Sequence, residues 1–221
     1  MVNAPRYFVY KMTTDNGGAP CVANGLLTLA ICKPAIRSSG EICDWIYGFG
    51  GKELKGRLIY IAEVNYKLSN GAYYRSRKYA NMPDCIYRYD VKDESFVRKV
   101  NALYHKGTEN LKRDLGDYPI YSRANVLLSC NFRYFGNSGK TLLEMKREYP
   151  DLKRLLDNLR RGHRVRHDAK IVKELEELRN DVWDKYVCKV VGTPSDKKLS
   201  KRCSDDCGSI EIPCLTAVPP R

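Results

Sequence analysis

The sequence predicts an α+β protein: a compact mixed β-barrel or sheet of about five to six strands, with peripheral helices and a C-terminal helical extension. Short apolar runs with two-residue alternation recur between residues 6 and 136, and from residue 141 the apolar spacing becomes helical. A barrel is expected because closure of such short strands hides their edges. The chain has 221 residues, of which 43% are hydrophobic, so it is long enough to bury a core.

The strands are expected in the first two thirds of the chain. Residues 6–12, RYFVYKM, alternate and are rich in aromatic residues, which is typical of a strand. Residues 25–34, GLLTLAICKP, fit either a helix or a buried strand, and Pro34 favours a short helix or turn. Residues 41–51 and 56–68 predict two strands joined as a hairpin by a glycine-rich turn, and residues 124–136 predict another strand.

The remaining segments predict helices and loops. Residues 70–90 indicate a helix broken at Pro83 and followed by an extended piece, and residues 90–121 indicate a loop around a short helix or hairpin. Leucines at helical spacing from residue 141 and the amphipathic residues 169–191 predict C-terminal helices. We therefore expect an α+β domain over residues 1–165, an amphipathic helix over residues 166–192, and a flexible tail over residues 193–221 that carries Cys203, Cys207 and Cys214.

Several site classes are not expected. Three clustered C-terminal thiols lack a fourth ligand, and His163 and His167 have no adjacent glutamate and lie among arginines, so we expect no metal site. The segment GNSGKT has the wrong glycine spacing for a phosphate-binding loop, and no dinucleotide motif is present, so we expect no cofactor. No apolar run is long enough to span a bilayer and no secretory leader is evident, which predicts a cytoplasmic protein without membrane contact.

The formal net charge of +13 favours a polyanionic partner, although solubility and a basic C-terminal helix would also account for it. The segment RRGHRVRH suggests that Arg161, His163 and Arg164, together with Arg37, hold phosphates. The alternative for this segment is that its cations complement a helix C-terminus. Tyrosines interleaved with arginines at residues 73–89 suit either base stacking or ordinary packing.

A second set of candidates surrounds the segment TTDNGGAP at residues 13–20. Loops held by Asp, Asn, Gly and Pro often carry binding sites, but Asp15 and Asn16 could also satisfy only their own backbone. Asp44, a carboxylate on an apolar strand, either ties down the backbone amides of residues 15–20 or recognises a base edge. The predicted base-binding or nucleotide-binding residues are Thr14, Asp15, Asn16, Cys32, Lys33, Asp44, Trp45 and Tyr47.

The order of several motifs resembles a known family. They are FVYKMTTDNGGAPC, LLTLAICKPAIR, CDWIYGFGG, GRLIYIAEV, YYRSRKY, VLLSCNFRYFG and RRGHR, spread between Arg6 and Arg164. Together they resemble the nucleotide modification associated domain 2 (Nmad2) proteins. The resemblance implies a link to phage and prokaryotic systems that make or recognise modified nucleotides. By analogy with PUA-like domains, which share the strand order and the loop after the first strand, it implies a pocket for a base.

These observations predict a nucleic-acid-binding or nucleotide-binding module associated with nucleotide or DNA modification, which recognises a modified base in a pocket. The alternative is an enzyme that acts on a nucleotide or modified base in a phage or prokaryotic modification or defence system. Its catalytic candidates are Asp15 or Asp44 as acid or base, Lys33 as electrostatic stabiliser or nucleophile, and Cys32 as a thiol. A protein partner that docks on the C-terminal helix and tail is a further expectation.

Overall fold

The computed structural model of the protein describes residues 4–107 and 109–196. Its strands are β1 (Tyr7–Met12), β2 (Cys21–Ala23), β3 (Leu26–Leu29), β4 (Trp45–Gly50), β5 (Leu58–Glu63), β6 (Tyr66–Leu68), β7 (Tyr87–Asp90), β8 (Ser95–Arg98), β9 (Val126–Ser129), β10 (Phe132–Tyr134) and β11 (His163–Arg164). Its α-helices are α1 (Pro34–Ser39), α2 (Ala72–Arg75), α3 (Glu109–Leu115), α4 (Pro150–Asn158) and α5 (Ala169–Lys185). The prediction of an α+β fold is confirmed, but the described residues form eleven strands where about five to six were expected.

The strands form two open sheets and a hairpin. The first sheet has the order β10-β5-β4-β1-β11, in which only β1 and β4 pair in parallel, and the second has the antiparallel order β2-β3-β9-β6. Strands β7 and β8 form a separate antiparallel hairpin. The expected barrel is not confirmed, because no sheet closes on itself within the described ranges.

Two predicted strands each divide between the sheets. Residues 56–68 give β5 in the first sheet and β6 in the second, and residues 124–136 give β9 in the second and β10 in the first. The two crossing points are tied together by Asn65, whose Oδ1 accepts the backbone N–H of Cys130 at 2.7 Å and that of Asn131 at 3.1 Å. Two apolar runs that look continuous in the sequence therefore supply four shorter strands.

Two further expectations need correction. Residues 26–29 form strand β3, because they find a partner in β9, and the helix begins only at Pro34. Helix α5 ends at Lys185 instead of near Val191, and Val190 forms a parallel bridge to Tyr134. The hairpin predicted from residues 41–68 is confirmed as the pairing of β4 with β5.

The first sheet separates two cores because its side chains alternate between its faces. Tyr7 and Val9 face α4 and α5, where they pack with Leu175 of α5. Phe8 and Tyr10 face the second sheet. A third core lies between the second sheet and the α2, α3 and β7–β8 region. This layering decides which of the predicted site residues can share one surface.

The chain after α5 returns to the first sheet. Ser195 and Asp196 contact Asp15 through hydrogen bonds. The rest of the predicted tail, residues 197–221 with its three cysteines, lies outside the described residues. None of the helices in the described ranges is both long and apolar enough to cross a membrane.

Candidate functional site

The turn between β3 and α1 holds Cys32 and Lys33 in an unusual backbone conformation. Both residues have left-handed dihedral angles, with φ of 56° for Cys32 and 42° for Lys33, and Pro34 then opens α1. This conformation costs a residue with a Cβ atom about 1–2 kcal/mol, so the surrounding structure must hold it. The sequence CKP therefore marks a constrained turn between a buried strand and a helix.

Arg37 provides much of this constraint from the protein interior. It is completely buried, and its guanidinium donates to backbone carbonyls of Cys32 (2.7 Å), Asp114 (2.8 Å), Arg123 (2.9 Å) and Asn125 (2.5 Å). All three guanidinium nitrogens are occupied by these bonds. The structure thus places Arg37, a predicted phosphate ligand, where it fastens the Cys32 turn to two other segments.

Beside this turn, Asp114, His105 and Cys32 form a connected chain of polar groups. Asp114, at the end of α3, is fully buried and accepts the backbone N–H of Cys32 at 3.1 Å and the hydroxyl of Tyr87 at 2.9 Å. The same carboxylate is hydrogen-bonded to Nδ1 of His105. The other ring nitrogen, Nε2, lies 3.1 Å from Sγ of Cys32. The order of the groups is carboxylate, imidazole, thiol.

The electrostatics of this chain favour a charged imidazole. Burial opposes the imidazolium, but the hydrogen bonds to Asp114 and Cys32 and their negative charges outweigh burial and raise the pKa of His105 to about 9. The His105 side chain is 14% exposed and Cys32 is half-buried, so neither residue is fully enclosed by the protein. A histidine that lies within hydrogen-bond distance of a thiol and is oriented by a third group is an arrangement used for nucleophilic catalysis, in which the imidazolium stabilises the thiolate.

Lys33 lies at the edge of the same turn, over an aromatic ring. Its Nζ is 4.7 Å from the ring centroid of Tyr10, and burial lowers its pKa. The Tyr10 hydroxyl is 2.8 Å from that of Tyr60, which reaches it across Gly48. Because a Cβ atom at Gly48 would overlap the Tyr60 ring, glycine is required there. Lys33 therefore contributes a half-buried positive charge next to Cys32.

The loop of residues 13–20 lies close to this site, but Asp15 is turned into the interior. Asp15 is 1% exposed, and it accepts the Tyr134 hydroxyl at 2.8 Å and the backbone N–H of Ser195 at 3.1 Å. Burial raises the pKa of Asp15 against these hydrogen bonds. Asn16 Oδ1 accepts the Gly18 N–H at 3.0 Å, which is the local turn bond that the sequence left as an alternative.

The loop of residues 13–20 contacts Tyr104, which directly precedes His105 in the chain. The Tyr104 hydroxyl lies 3.4 Å from the carbonyl oxygen of Asn16, and its ring lies against Gly18, where a Cβ atom would collide with it. Thr14 in the same loop is exposed. Residues 13–20 thus stand beside the segment that carries His105, as a wall of the site.

Three predicted residues in or just before strand β4, namely Asp44, Trp45 and Tyr47, do not lie at this site. Asp44 precedes β4 at the end opposite the loop, and it accepts from the guanidinium of Arg6 at 2.6 Å and from the backbone N–H groups of Arg6 (3.0 Å) and Glu41 (2.7 Å). Since β1 and β4 run in parallel for six residues, Asp15 and Asp44 lie at opposite ends, roughly 20 Å apart. The idea that Asp44 ties down residues 15–20 is therefore wrong.

Trp45 and Tyr47 face the helices, on the other side of the first sheet. Trp45 packs edge-on against Trp183, at a centroid distance of 5.5 Å, and the Tyr47 hydroxyl donates to the Leu175 carbonyl at 2.9 Å. Both side chains belong to the core between the sheet and α5. The structure does not bring them to Cys32 and Lys33.

The predicted phosphate ligands near residue 163 lie on the outer strand of the first sheet. Arg161 and Arg164 are exposed, and His163 is half-buried with its ring 5.5 Å from that of Phe8. His163 pairs with Tyr10 across β11 and β1, so it shares a cross-strand row with the ring under Lys33. Burial and then the nearby Arg164 lower the pKa of His163. The exposed side chains of Arg161 and Arg164 therefore belong to the segment whose His163 lies beside Tyr10.

The sequence did not identify His105 or Asp114. Both lie in residues 90–121, a stretch of charges and turn residues without a motif, and far from Cys32 along the chain. Only the rarity of histidine, with three in the chain, could have drawn attention to His105, and the sequence reasoning did not use it. Within the described ranges, no group of three or more histidine, cysteine or acidic residues is arranged to hold a metal ion.

Comparisons with known proteins identify the family of the chain. The family model described as nucleotide modification associated domain 2 matches residues 4–201. The chain belongs to this family. The Nmad2 match includes the Cys32 turn, His105 and Asp114, and also helix α5, so all the groups described above lie within it. No curated protein and no solved structure gives a significant match. Membership of the Nmad2 family associates the chain with nucleotide modification.

Proposed function

We propose that the protein is an enzyme that acts on a nucleotide or a modified base, with Cys32 as its nucleophile. The single observation that carries this proposal is that Sγ of Cys32 lies 3.1 Å from Nε2 of His105, a histidine whose Nδ1 is hydrogen-bonded to Asp114. The sequence left a binding module and an enzyme open as alternatives. This arrangement of groups favours the enzyme, and the Nmad2 family supports the nucleotide as substrate.

Each group has a distinct part in the proposed reaction. In the proposed reacting state the Cys32 sulfur is a thiolate beside the His105 imidazolium, and it attacks an electrophilic carbon of the substrate, so that an S–C bond forms. The bond from that carbon to its leaving group breaks, and the proton on His105 passes to the leaving atom. Water or an acceptor then releases the product and restores the thiol. Asp114 keeps the imidazole oriented throughout.

Lys33 supplies the positive charge that an anionic substrate needs. Its ammonium is half-buried over Tyr10 and forms no ion pair within the described residues, so the charge is available to a phosphate or to negative charge developing on the substrate. Asp15 is held by Tyr134 and Ser195 and serves in this proposal to shape the wall of the site. Asp44, Trp45 and Tyr47 have no part in it.

The proposal can be tested before any substrate is known, by measuring cysteine alkylation. Iodoacetamide labelling followed by peptide mass spectrometry would give separate rates for half-buried Cys32 and exposed Cys188 at neutral pH. We expect Cys32 to react faster than Cys188, because an adjacent imidazolium stabilises the reacting thiolate. His105→Gln should slow Cys32 about tenfold or more and leave Cys188 unchanged.

The matched control is His163→Gln, which replaces a half-buried histidine outside the chain of groups. It should leave both rates unchanged. If Cys32 reacts more slowly than Cys188 and His105→Gln has no effect, Cys32 is not an activated nucleophile and the proposal is wrong. With candidate nucleotides as substrates, Cys32→Ser should abolish turnover without changing the thermal midpoint of unfolding.

The net charge of +13 supports a second candidate, a module that recognises a modified base in nucleic acid. Arg161 and Arg164 are exposed at the edge of the first sheet and could contact phosphates. Fluorescence anisotropy with unmodified and base-modified oligonucleotides across a salt series tests this function. Selective binding that persists at high salt, with Cys32→Ser as active in binding as the native protein, would favour the module over the enzyme. A PUA-like pocket, a cytoplasmic location and a protein partner at the C-terminus remain proposals.

A further inference from the structure

On the opposite side of the first sheet from Lys33 and Cys32, a groove of about 520 Å³ opens between the second half of α5 and the segment before α4. Leu58 at the start of β5 and Phe135 just after β10 form its sheet-side wall. Both face the core that packs against α4 and α5, whereas Lys33 covers Tyr10 on the other face. The volume falls in the range that small-molecule sites occupy.

The interior of the groove is apolar and aromatic. Phe135 and Tyr186 meet edge-to-face with their ring centroids 5.1 Å apart, and Leu178 and Val182 of α5 complete this surface. Tyr149 also lines it, with its hydroxyl donating to Asp181 at 2.7 Å. Planar aromatic groups pack favourably against such rings. A flat ligand ring would therefore gain both burial and ring contacts here.

Arg147, a lining residue, already forms two ion pairs. Arg147 lies 3.3 Å from a carboxylate oxygen of Glu177 and 3.3 Å from one of Asp181, so it bridges the segment before α4 to α5. These ion pairs hold polar atoms at a fixed position beside the apolar interior of the groove. Such atoms suit a ring that carries hydrogen-bonding edges and do not suit an alkyl chain.

The remaining charges around the groove are predominantly positive. Lys140, Lys146 and Lys185 are exposed lining residues, and none of the three forms an ion pair in the ranges that the structure describes. Asp184 is the one lining carboxylate besides the bridged Asp181. Three lysines from two chain segments that line a groove with an aromatic interior are complementary to an anion attached to a ring.

We propose that this groove binds a free mononucleotide, with its base against the surface that Phe135, Tyr149 and Tyr186 line and its phosphate near Lys140, Lys146 and Lys185. This site is separate from the Cys32 site and goes beyond the proposed function, since it lies on the other face of the sheet. A protein that modifies nucleotides at one face would then hold a second nucleotide at the other.

Isothermal titration calorimetry with 2′-deoxyadenosine 5′-phosphate is the direct test. We expect saturable binding, about tenfold weaker binding of 2′-deoxyadenosine because the phosphate contacts are lost, and no saturable binding of inorganic phosphate alone. Lys146→Gln should weaken binding of the mononucleotide about tenfold. Lys173→Gln, an exposed lysine earlier on α5 and outside the groove, is the matched control and should bind as the native protein does.

A second variant tests the interior. Val182→Phe fills the groove and should abolish binding, provided that circular dichroism and the thermal midpoint show a folded protein. If that variant does not fold, Lys140→Gln combined with Lys146→Gln keeps the test intact, because both side chains are exposed.

Three results would overturn the inference. One is the absence of saturable mononucleotide binding to the native protein. Another is tighter binding of dodecanoate or of a short single-stranded oligonucleotide than of the mononucleotide, with the same loss in Lys146→Gln. The third is mononucleotide binding that survives all groove variants but is lost in Lys33→Gln, which places the ligand at the Cys32 site and would support the proposed function instead.

Discussion

The contact between His105 and Asp114 predicts a specific pH dependence of stability. A histidine whose pKa is raised in the folded state stabilises the fold below its unfolded pKa, and this contribution is lost as the pH rises through the folded pKa. For His105 that window runs from 6.5 to about 9. The free energy of unfolding should therefore fall across this interval. The part of the fall that is due to His105 should be missing when His105 is replaced.

The size of this effect follows from the shift and the burial. At about 1.4 kcal/mol per pKa unit, the shift from 6.5 to about 9 corresponds to at most about 3.5 kcal/mol. Solvent reaches the edge of the ring, whose side chain is 14% exposed, so we expect about 1–2 kcal/mol after screening. His105→Gln removes the titrating group while its amide can still donate to Asp114.

Urea unfolding of the native protein and His105→Gln at about pH 6 and about pH 9.5 measures this contribution. The native protein should exceed the variant in stability at the lower pH, and the difference should shrink by about 1–2 kcal/mol at the higher pH. His163→Gln is a control of opposite sign, because the pKa of His163 is lowered. A native–variant difference that is the same at both pH values would refute the charged His105–Asp114 pair.

Three further predictions concern residues that have no part in the proposed reaction. Arg37→Lys should lower the free energy of unfolding by about 3 kcal/mol or more, because one ammonium cannot serve four buried carbonyls; unchanged urea unfolding would contradict this. Gly48→Ala should cost about 1–3 kcal/mol, because its methyl group overlaps the buried Tyr60 ring; a thermal midpoint equal to that of the native protein would show that the ring can move. Asp44→Asn should destabilise the protein by about 1–3 kcal/mol through loss of the Arg6 ion pair and leave Cys32 alkylation unchanged; slower alkylation at native stability would place Asp44 in the site after all.

Much of the local structure could be predicted from the sequence. Alternation in residues 6–12, the glycine-rich turn before residue 56 and the helical spacing after residue 141 identified β1, the β4–β5 hairpin and the C-terminal helices. These signals are local because they arise from the two-residue and 3.6-residue periods of single elements. The same signals could not show that residues 56–68 cross from one sheet to the other, since that depends on a pairing partner far along the chain.

The candidate site was predicted only in part. Cys32, Lys33 and the loop at residues 13–20 were selected for their residue types and turn chemistry, and the structure places them together around Tyr10 and Tyr104. Asp44 was selected by the same reasoning and lies at the other end of the strand. A buried carboxylate requires a partner, but residue type does not say whether that partner is a ligand or, as for Asp44, an arginine of the same protein.

The sequence by itself determined the α+β class, the positive charge, the Nmad2 resemblance and the end of the apolar run in a short helix or turn at Pro34. Tertiary structure alone decided that Arg37 is buried and that Asp114, His105 and Cys32 form a connected chain of polar groups. The physical reason is that periodicity and turn propensity act between neighbours, whereas these contacts form when α3 and the strand-to-helix turn pack on the same core. Residues that are 73 positions apart, such as Cys32 and His105, meet only after that packing is complete.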